Sequence, residues 1–277
     1  MKTPLAALSA LAAATLALTG CGSTQSSSSS TASAGSSSSA SAAGTQASSG
    51  KIQVFAAASL NNAGADLEKA YEAANPGVDI TFVYEGSAKL VTQIEQGATP
   101  DMLITADTKN MDKAKKLNEF SNSETNVLVT NKLVLVTAEG NPGKINSLDD
   151  LKTTEGVVAV CKEDVPCGTL AHEELKKHDI TLKNATTESK VTDVATKVTT
   201  GNADAGFIYT TDLAAAKKKG VNLGSVELTD VERNEYPAAL SKTGSSSETA
   251  KKFNEWLSSD EAQKILAKYD FESPQAN

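Results

Sequence analysis

From residue 51 onward the chain alternates short apolar runs with amphipathic ones. Residues 51–57 (KIQVFAA) have the near-continuous apolar character of a buried strand. Residues 60–74 then carry Leu60, Ala63, Leu67, Ala70 and Tyr71 at helical spacing. The alternation continues, with strands expected at 79–84, 102–105, 157–160 and 205–209 and two β-rich runs within 126–137. Helices are expected at 88–96, 111–117, 169–178, 191–199 and 212–219. Short strands at 226–228 and 238–240 precede one or two amphipathic helices within 249–269. In that last stretch Phe253, Trp256, Leu257, Ile265 and Leu266 fit a core-facing stripe. Strands alternating with helices of this length imply an α/β fold with parallel-rich sheets. Two such clusters, before and after about residue 132, suggest two lobes, and no internal repeat is visible.

The first fifty residues follow different rules. Lys2, an apolar run over residues 4–18 and then Leu18-Thr19-Gly20-Cys21 read as an export signal over residues 1–20. The run is short and alanine-rich for a spanning helix. Its end resembles the lipobox of bacterial lipoproteins, which implies that Cys21 is lipidated and becomes the mature N-terminus; an ordinary secretory signal ending near a cysteine is the alternative. Residues 22–50 are Ser, Ala, Gly, Thr and Gln only. Such a segment cannot bury enough surface to offset its ordering entropy, so residues 21–50 are expected to act as a flexible tether reaching roughly 30 Å. The expected location is extracytoplasmic, anchored to the cell membrane through Cys21.

Composition narrows the function. The 277 residues hold 26 Lys and Arg against 34 Asp and Glu, a net charge of −8, with no basic block. Nucleic acid is therefore a poor partner, because its binding is driven by cations displacing counterions from phosphates. Two His and three Cys leave little material for a multi-ligand zinc site. His172 and His178, six residues apart, do not share a helix face as a metal-binding pair would, and read as surface residues. No Ser-His-Asp ordering can be placed, which weighs against a hydrolase, and an aromatic content of 4% weighs against a site that stacks sugars or bases.

The helix starts carry the candidate chemistry. Four expected helices open with small or polar residues: Ser59, Gly86-Ser87, Cys167-Gly168 and Lys190-Val191. In open α/β sheets, ligands bind beyond the carboxyl ends of the strands, where free N–H groups and positive dipole ends form anion sites. Each serine alone reads as a plain N-cap; spacing does not show whether the four converge.

Ala56-Ala57-Ala58-Ser59-Leu60, Gly86-Ser87, Gln93-Ile94-Glu95-Gln96-Gly97-Ala98, Pro100-Asp101, Ala106-Asp107, Met111-Asp112, Val165-Pro166-Cys167-Gly168 and Gly206-Phe207-Ile208-Tyr209 occur in one order along the chain. In these motifs the sequence resembles the molybdate-binding components of bacterial ABC importers. The resemblance implies a type II periplasmic-binding-protein fold, with lobe 1 at 51–131 plus 237–277, lobe 2 at 132–236, and crossing hinge strands between them. It also implies a solute-binding lipoprotein, not an enzyme, without a cofactor. It would capture molybdate or tungstate between the lobes and deliver it to an importer permease, and it is expected to be a monomer. Carried over by position, oxyanion-binding hydroxyls fall on Ser59, Ser87 and Tyr209, and backbone amides on Cys167 and Val191, with no direct protein–metal bond. Relatives with a run of serines differ from Gly86-Ser87-Ala88-Lys89, which brings Lys89 close to the site. Sulfate binding, an extracytoplasmic hydrolase and a structural surface lipoprotein are the alternatives.

A cage made only of donors discriminates by protonation. Each hydrogen bond to a charged acceptor contributes ~1.5–3 kcal/mol, whereas an O–H on a phosphate would find no acceptor, at a cost of ~1–3 kcal/mol. Molybdate, tungstate and sulfate carry no such proton. With Cys21 lipidated, Cys161 and Cys167 form an even pair in an oxidising compartment, which favours a disulfide over free thiols or a redox or metal role.

Overall fold

The computed structural model describes residues 50–229 and 231–274, and in it the apolar runs become two five-stranded sheets. The expected signal, Cys21 and the tether up to residue 49 lie outside the described residues. In the first lobe the chain runs through β1 (Gly50–Ala57), a 3-10 turn at Ala58–Leu60, α1 (Asn61–Ala74), β2 (Val78–Glu85), α2 (Ser87–Glu95), β3 (Met102–Ile104), α3 (Thr108–Ala114) and β4 (Thr125–Asn131). After Lys132 it enters the second lobe through β5 (Leu133–Thr137), β6 (Val158–Cys161), α4 (Pro166–Lys177), β7 (Ala185–Glu188), α5 (Val191–Thr199), β8 (Ala205–Tyr209), α6 (Thr210–Lys218) and β9 (Gly224–Val226). It then returns to the first lobe through β10 (Asn234–Leu240) and ends in α7 (Lys242–Ser246), α8 (Glu248–Leu257) and α9 (Asp260–Ala267).

The sheet orders are β2-β1-β3-β10-β4 and β7-β6-β8-β5-β9. Each has a parallel three-strand half: β1 with β2 and β3, and β6 with β7 and β8. Each is completed by an antiparallel strand next to a crossing, β10 between β3 and β4 and β5 between β8 and β9. Strand β9 ends at Val226 in the second sheet and β10 begins at Asn234 in the first, ahead of the 236/237 boundary that the family resemblance implied. Asn234 and Glu235 belong to the first sheet, where they pair with Asn131 and Thr130. Asn234 hides this from a hydropathy pattern, because it is polar yet buried.

Local sequence explains the elements. Helix α5 buries Val191, Val194 and Val198 on one face. Helix α3 begins before the expected residue 111 because the Asp107 side chain caps it, accepting the Asn110 N–H at 2.7 Å. Helix α4 likewise starts before residue 169, with Pro166 in its first turn, where a missing N–H costs nothing. Strand β7 (ATTE) was not expected: it has no large apolar residue and forms the half-exposed edge of its sheet. Each lobe has its own core. In the first, Tyr71 meets Phe253 edge-on with ring centroids 4.9 Å apart, and Leu257, Ile265 and Leu266 are buried beside them. In the second, Leu133, Leu135, Phe207 and Ile208 are fully buried. Among the described residues no helix is long and apolar enough to cross a membrane.

Candidate functional site

The carboxyl ends of β1, β2, β3, β6 and β7 all lead into turns or helix starts, and those segments meet between the lobes. They enclose a small chamber lined by Ala57, Ala58, Ser59, Gly86, Ser87, Ala106, Val165, Pro166, Cys167, Val191 and Tyr209. The chamber is nearly filled, with free space of about 10 Å³, roughly room for one water molecule. All five residues singled out in the sequence, Ser59, Ser87, Cys167, Val191 and Tyr209, lie on this one chamber, and each is buried. Ser59 and Ser87 come from the first lobe; the other three come from the second.

None of the lining residues is charged. Positive potential comes from the helix starts instead. Cys167 and Val191 occupy first-turn positions of α4 and α5, and Ser87 opens α2. First-turn N–H groups have no carbonyl within their own helix and point toward the positive dipole end.

The hydroxyls are held from behind. Ser87 Oγ accepts the Ala106 N–H at 3.0 Å. Tyr209 Oη accepts from Asn234 Nδ2, which also donates to the Ala106 carbonyl, both at 2.5 Å. Ser59 Oγ lies 2.8 Å from Tyr236 Oη, which accepts from Asn131 Nδ2 at 3.2 Å. Burial pushes the Tyr209 and Tyr236 phenols well above the usual tyrosine range, so both keep their protons. Three groups in this layer, Asn131, Asn234 and Tyr236, escaped the sequence reading. The available signal was a polar Asn131 interrupting the apolar run of 126–137.

Two acidic groups flank the site without lining it. Asp212 accepts the Tyr209 N–H at 3.2 Å, and burial raises its carboxyl to about 7. Burial also raises Asp107, against opposing hydrogen bonds from Asn110. Lys89 does not line the chamber, and its ammonium is 2.7 Å from Glu85. The other Glu85 oxygen is 3.5 Å from Lys190 of the second lobe, so an ion pair spans the cleft beside the chamber. Next to it, Gly86 approaches the second lobe so closely that an added Cβ would be 2.3 Å from the Ser189 carbonyl oxygen. Asn110 Nδ2 donates across the cleft to the Asp164 carbonyl at 3.3 Å.

Cys161, at the end of β6, and Cys167 are joined by a disulfide with Cα atoms 5.8 Å apart. The turn between them is tight enough that a Cβ on Gly168 would be 1.8 Å from the Lys162 carbonyl oxygen. His178 is partly exposed and pairs with Glu174 at 3.1 Å, while half-buried His172 contacts the Cys161 carbonyl. Among the described residues no cluster of three His, Cys, Asp or Glu side chains could hold a metal ion.

Two lobes joined by two crossings, with a small buried chamber of uncharged lining between them, are the architecture of a solute-binding protein. Residues 52–272 match the bacterial extracellular solute-binding proteins, and the chain belongs to that family. It is 38% identical to the molybdate-binding protein ModA of Mycobacterium tuberculosis over 80% of this chain and 85% of that one. It is 34% identical to the Escherichia coli molybdate-binding protein ModA over 81% and 90%. The periplasmic molybdate-binding protein of Azotobacter vinelandii has the same fold, with a TM-score of 0.70, 19% identity and coverage of 81% and 100%.

Proposed function

We propose that this extracytoplasmic solute-binding protein captures molybdate, or its congener tungstate, in the chamber and hands it to the permease of an ABC importer. The observation that carries the proposal is that five separate segments bring only neutral donors to one small buried space. Ser59 and Ser87 reach the oxyanion from one lobe, and Tyr209 and the amides of Cys167 and Val191 reach it from the other. A ligand bonded to both sides stabilises the closed arrangement over an open one, which is hinge closure driven by differential contacts. The relatives of known name support molybdate as the solute. Lipidation of Cys21 would hold the protein near its permease, because two or more acyl chains give stable membrane anchoring.

The test is a melting screen with molybdate, tungstate, sulfate and hydrogen phosphate, followed by calorimetry. A hundredfold excess over Kd stabilises the native state by about 2.7 kcal/mol. Molybdate and tungstate should raise the melting temperature and hydrogen phosphate should not. No shift with either metal oxyanion would refute the proposal.

A further inference from the structure

We infer that Asn131 and Asn234, at the two interlobe crossings, are positioning residues that set the direction of the cage hydroxyls and so exclude oxyanions that carry a proton; this inference rests on the oxyanion reading above. Both amide orientations are fixed by backbone groups that can play only one role. Asn131 Oδ1 accepts the Lys132 N–H at 2.9 Å, so its Nδ2 is the atom facing Tyr236 Oη and Thr211 Oγ1. Asn234 Nδ2 donates to the Ala106 carbonyl, so the same nitrogen donates to Tyr209.

The consequences run along each chain of bonds. With a lone pair of Tyr209 Oη taken by Asn234, the phenol proton is left for the chamber. With Tyr236 Oη accepting from Asn131, its own proton goes to Ser59 Oγ, and the Ser59 proton is left for the chamber. Ser87 is set in the same way by the Ala106 N–H. Three hydroxyls that could each donate or accept are thereby made donors. Asn131 also accepts from Thr210 Oγ1 and donates to Thr211 Oγ1, both in the second lobe. The polarity of the Ser59 hydroxyl is therefore tied to contacts made at the hinge.

Replacing either amide nitrogen by an acceptor reverses its chain without changing its shape. In Asn131→Asp, Thr210 and the Lys132 N–H still satisfy one oxygen, while the Thr211 and Tyr236 hydroxyls can donate to the other. Ser59 then donates to Tyr236 and presents a lone pair to the chamber. In Asn234→Asp, the hydroxyl of a protonated carboxyl takes the place of Nδ2 and donates to the Ala106 carbonyl, while a lone pair of that same oxygen accepts the Tyr209 proton. An added negative charge weakens every dianion alike, so the informative readout is a ratio.

The experiment is competition calorimetry on the full-length protein and both variants, with molybdate and hydrogen phosphate at a pH where phosphate is a singly protonated dianion. Melting curves identify which variants fold, and either variant alone suffices. The expected result is that the preference for molybdate over hydrogen phosphate falls by about tenfold or more, the discrimination of roughly one unsatisfied donor. Equal weakening of both ligands, with the preference intact, would overturn the inference and leave the asparagines as structural residues only. A wild-type protein that binds no molybdate would overturn the function proposed above, and is distinguishable from that outcome before any variant is made.

Discussion

Replacing Tyr209 by Phe removes one hydroxyl and leaves the ring. The ring is fully buried at the end of β8, so packing in the second lobe should persist. With the lobes together, the change removes the Asn234 bond to Tyr209, while Asn234 keeps its bond to the Ala106 carbonyl. The stability cost should be about 1 kcal/mol. Binding loses more, because the phenol proton faces the chamber and a hydrogen bond to a charged acceptor contributes about 1.5–3 kcal/mol. Each 1.4 kcal/mol is a factor of ten, so Kd for molybdate should rise by roughly 10- to 150-fold. Calorimetry on the folded variant measures this directly, and a parallel urea titration separates loss of binding from loss of stability. An unchanged affinity in a protein that still melts cooperatively would remove Tyr209 from the site, and with it the second lobe's only side-chain donor in this proposal.

Three other perturbations probe different parts of the account. Gly86→Ala has ordinary backbone angles, φ −60° and ψ 137°, but its Cβ would collide with Ser189 when the lobes are together. The ligand-free melting temperature should change little, while molybdate binding weakens by about tenfold or more, since overpacking costs ~1–3 kcal/mol; equal affinity would mean that closure does not bring these segments into contact. Replacing Cys161 and Cys167 together by Ser opens a short loop whose closure entropy is worth about 2 kcal/mol. The melting temperature should fall by roughly 4–8 °C, with weaker molybdate binding through a looser Cys167 amide, and a thiol assay showing two free cysteines in the wild type would refute this. Asp212 titrates near 3.8 when unfolded and at about 7 when folded. The folded state thus binds the extra proton between those values, and stability declines as pH rises through that window. The loss should be on the order of 4 kcal/mol and absent in Asp212→Asn, as read from urea unfolding at a series of pH values; parallel wild-type and variant profiles would contradict it.

Much of the fold could be read from the sequence because the strands are buried and the helices are amphipathic. The bounds of α5 and β8 match the pattern of valines and of Ala205–Tyr209, where apolar spacing alone sets the element. The misplaced start of α3 and the unnoticed β7 have the opposite character. Asp107 starts the helix through a side-chain bond, and Ala185–Glu188 become a strand only because β6 offers a partner. At the site, family motifs pointed to the residues facing the chamber. The layer behind them was invisible, because Asn131 lies 103 residues before Asn234 and 105 before Tyr236, a spacing no periodicity records, and only the two crossings bring them to Ser59 and Tyr209.

The most direct measurement is the crystal structure of the protein grown with tungstate, with diffraction recorded at the tungsten absorption edge. A single anomalous peak should lie between Ser59, Ser87 and Tyr209, its oxygens about 2.7–3.1 Å from those hydroxyls and from the Cys167 and Val191 amides. A peak elsewhere on the molecule, or tungsten bonded directly to a side chain in the chamber, would contradict the account.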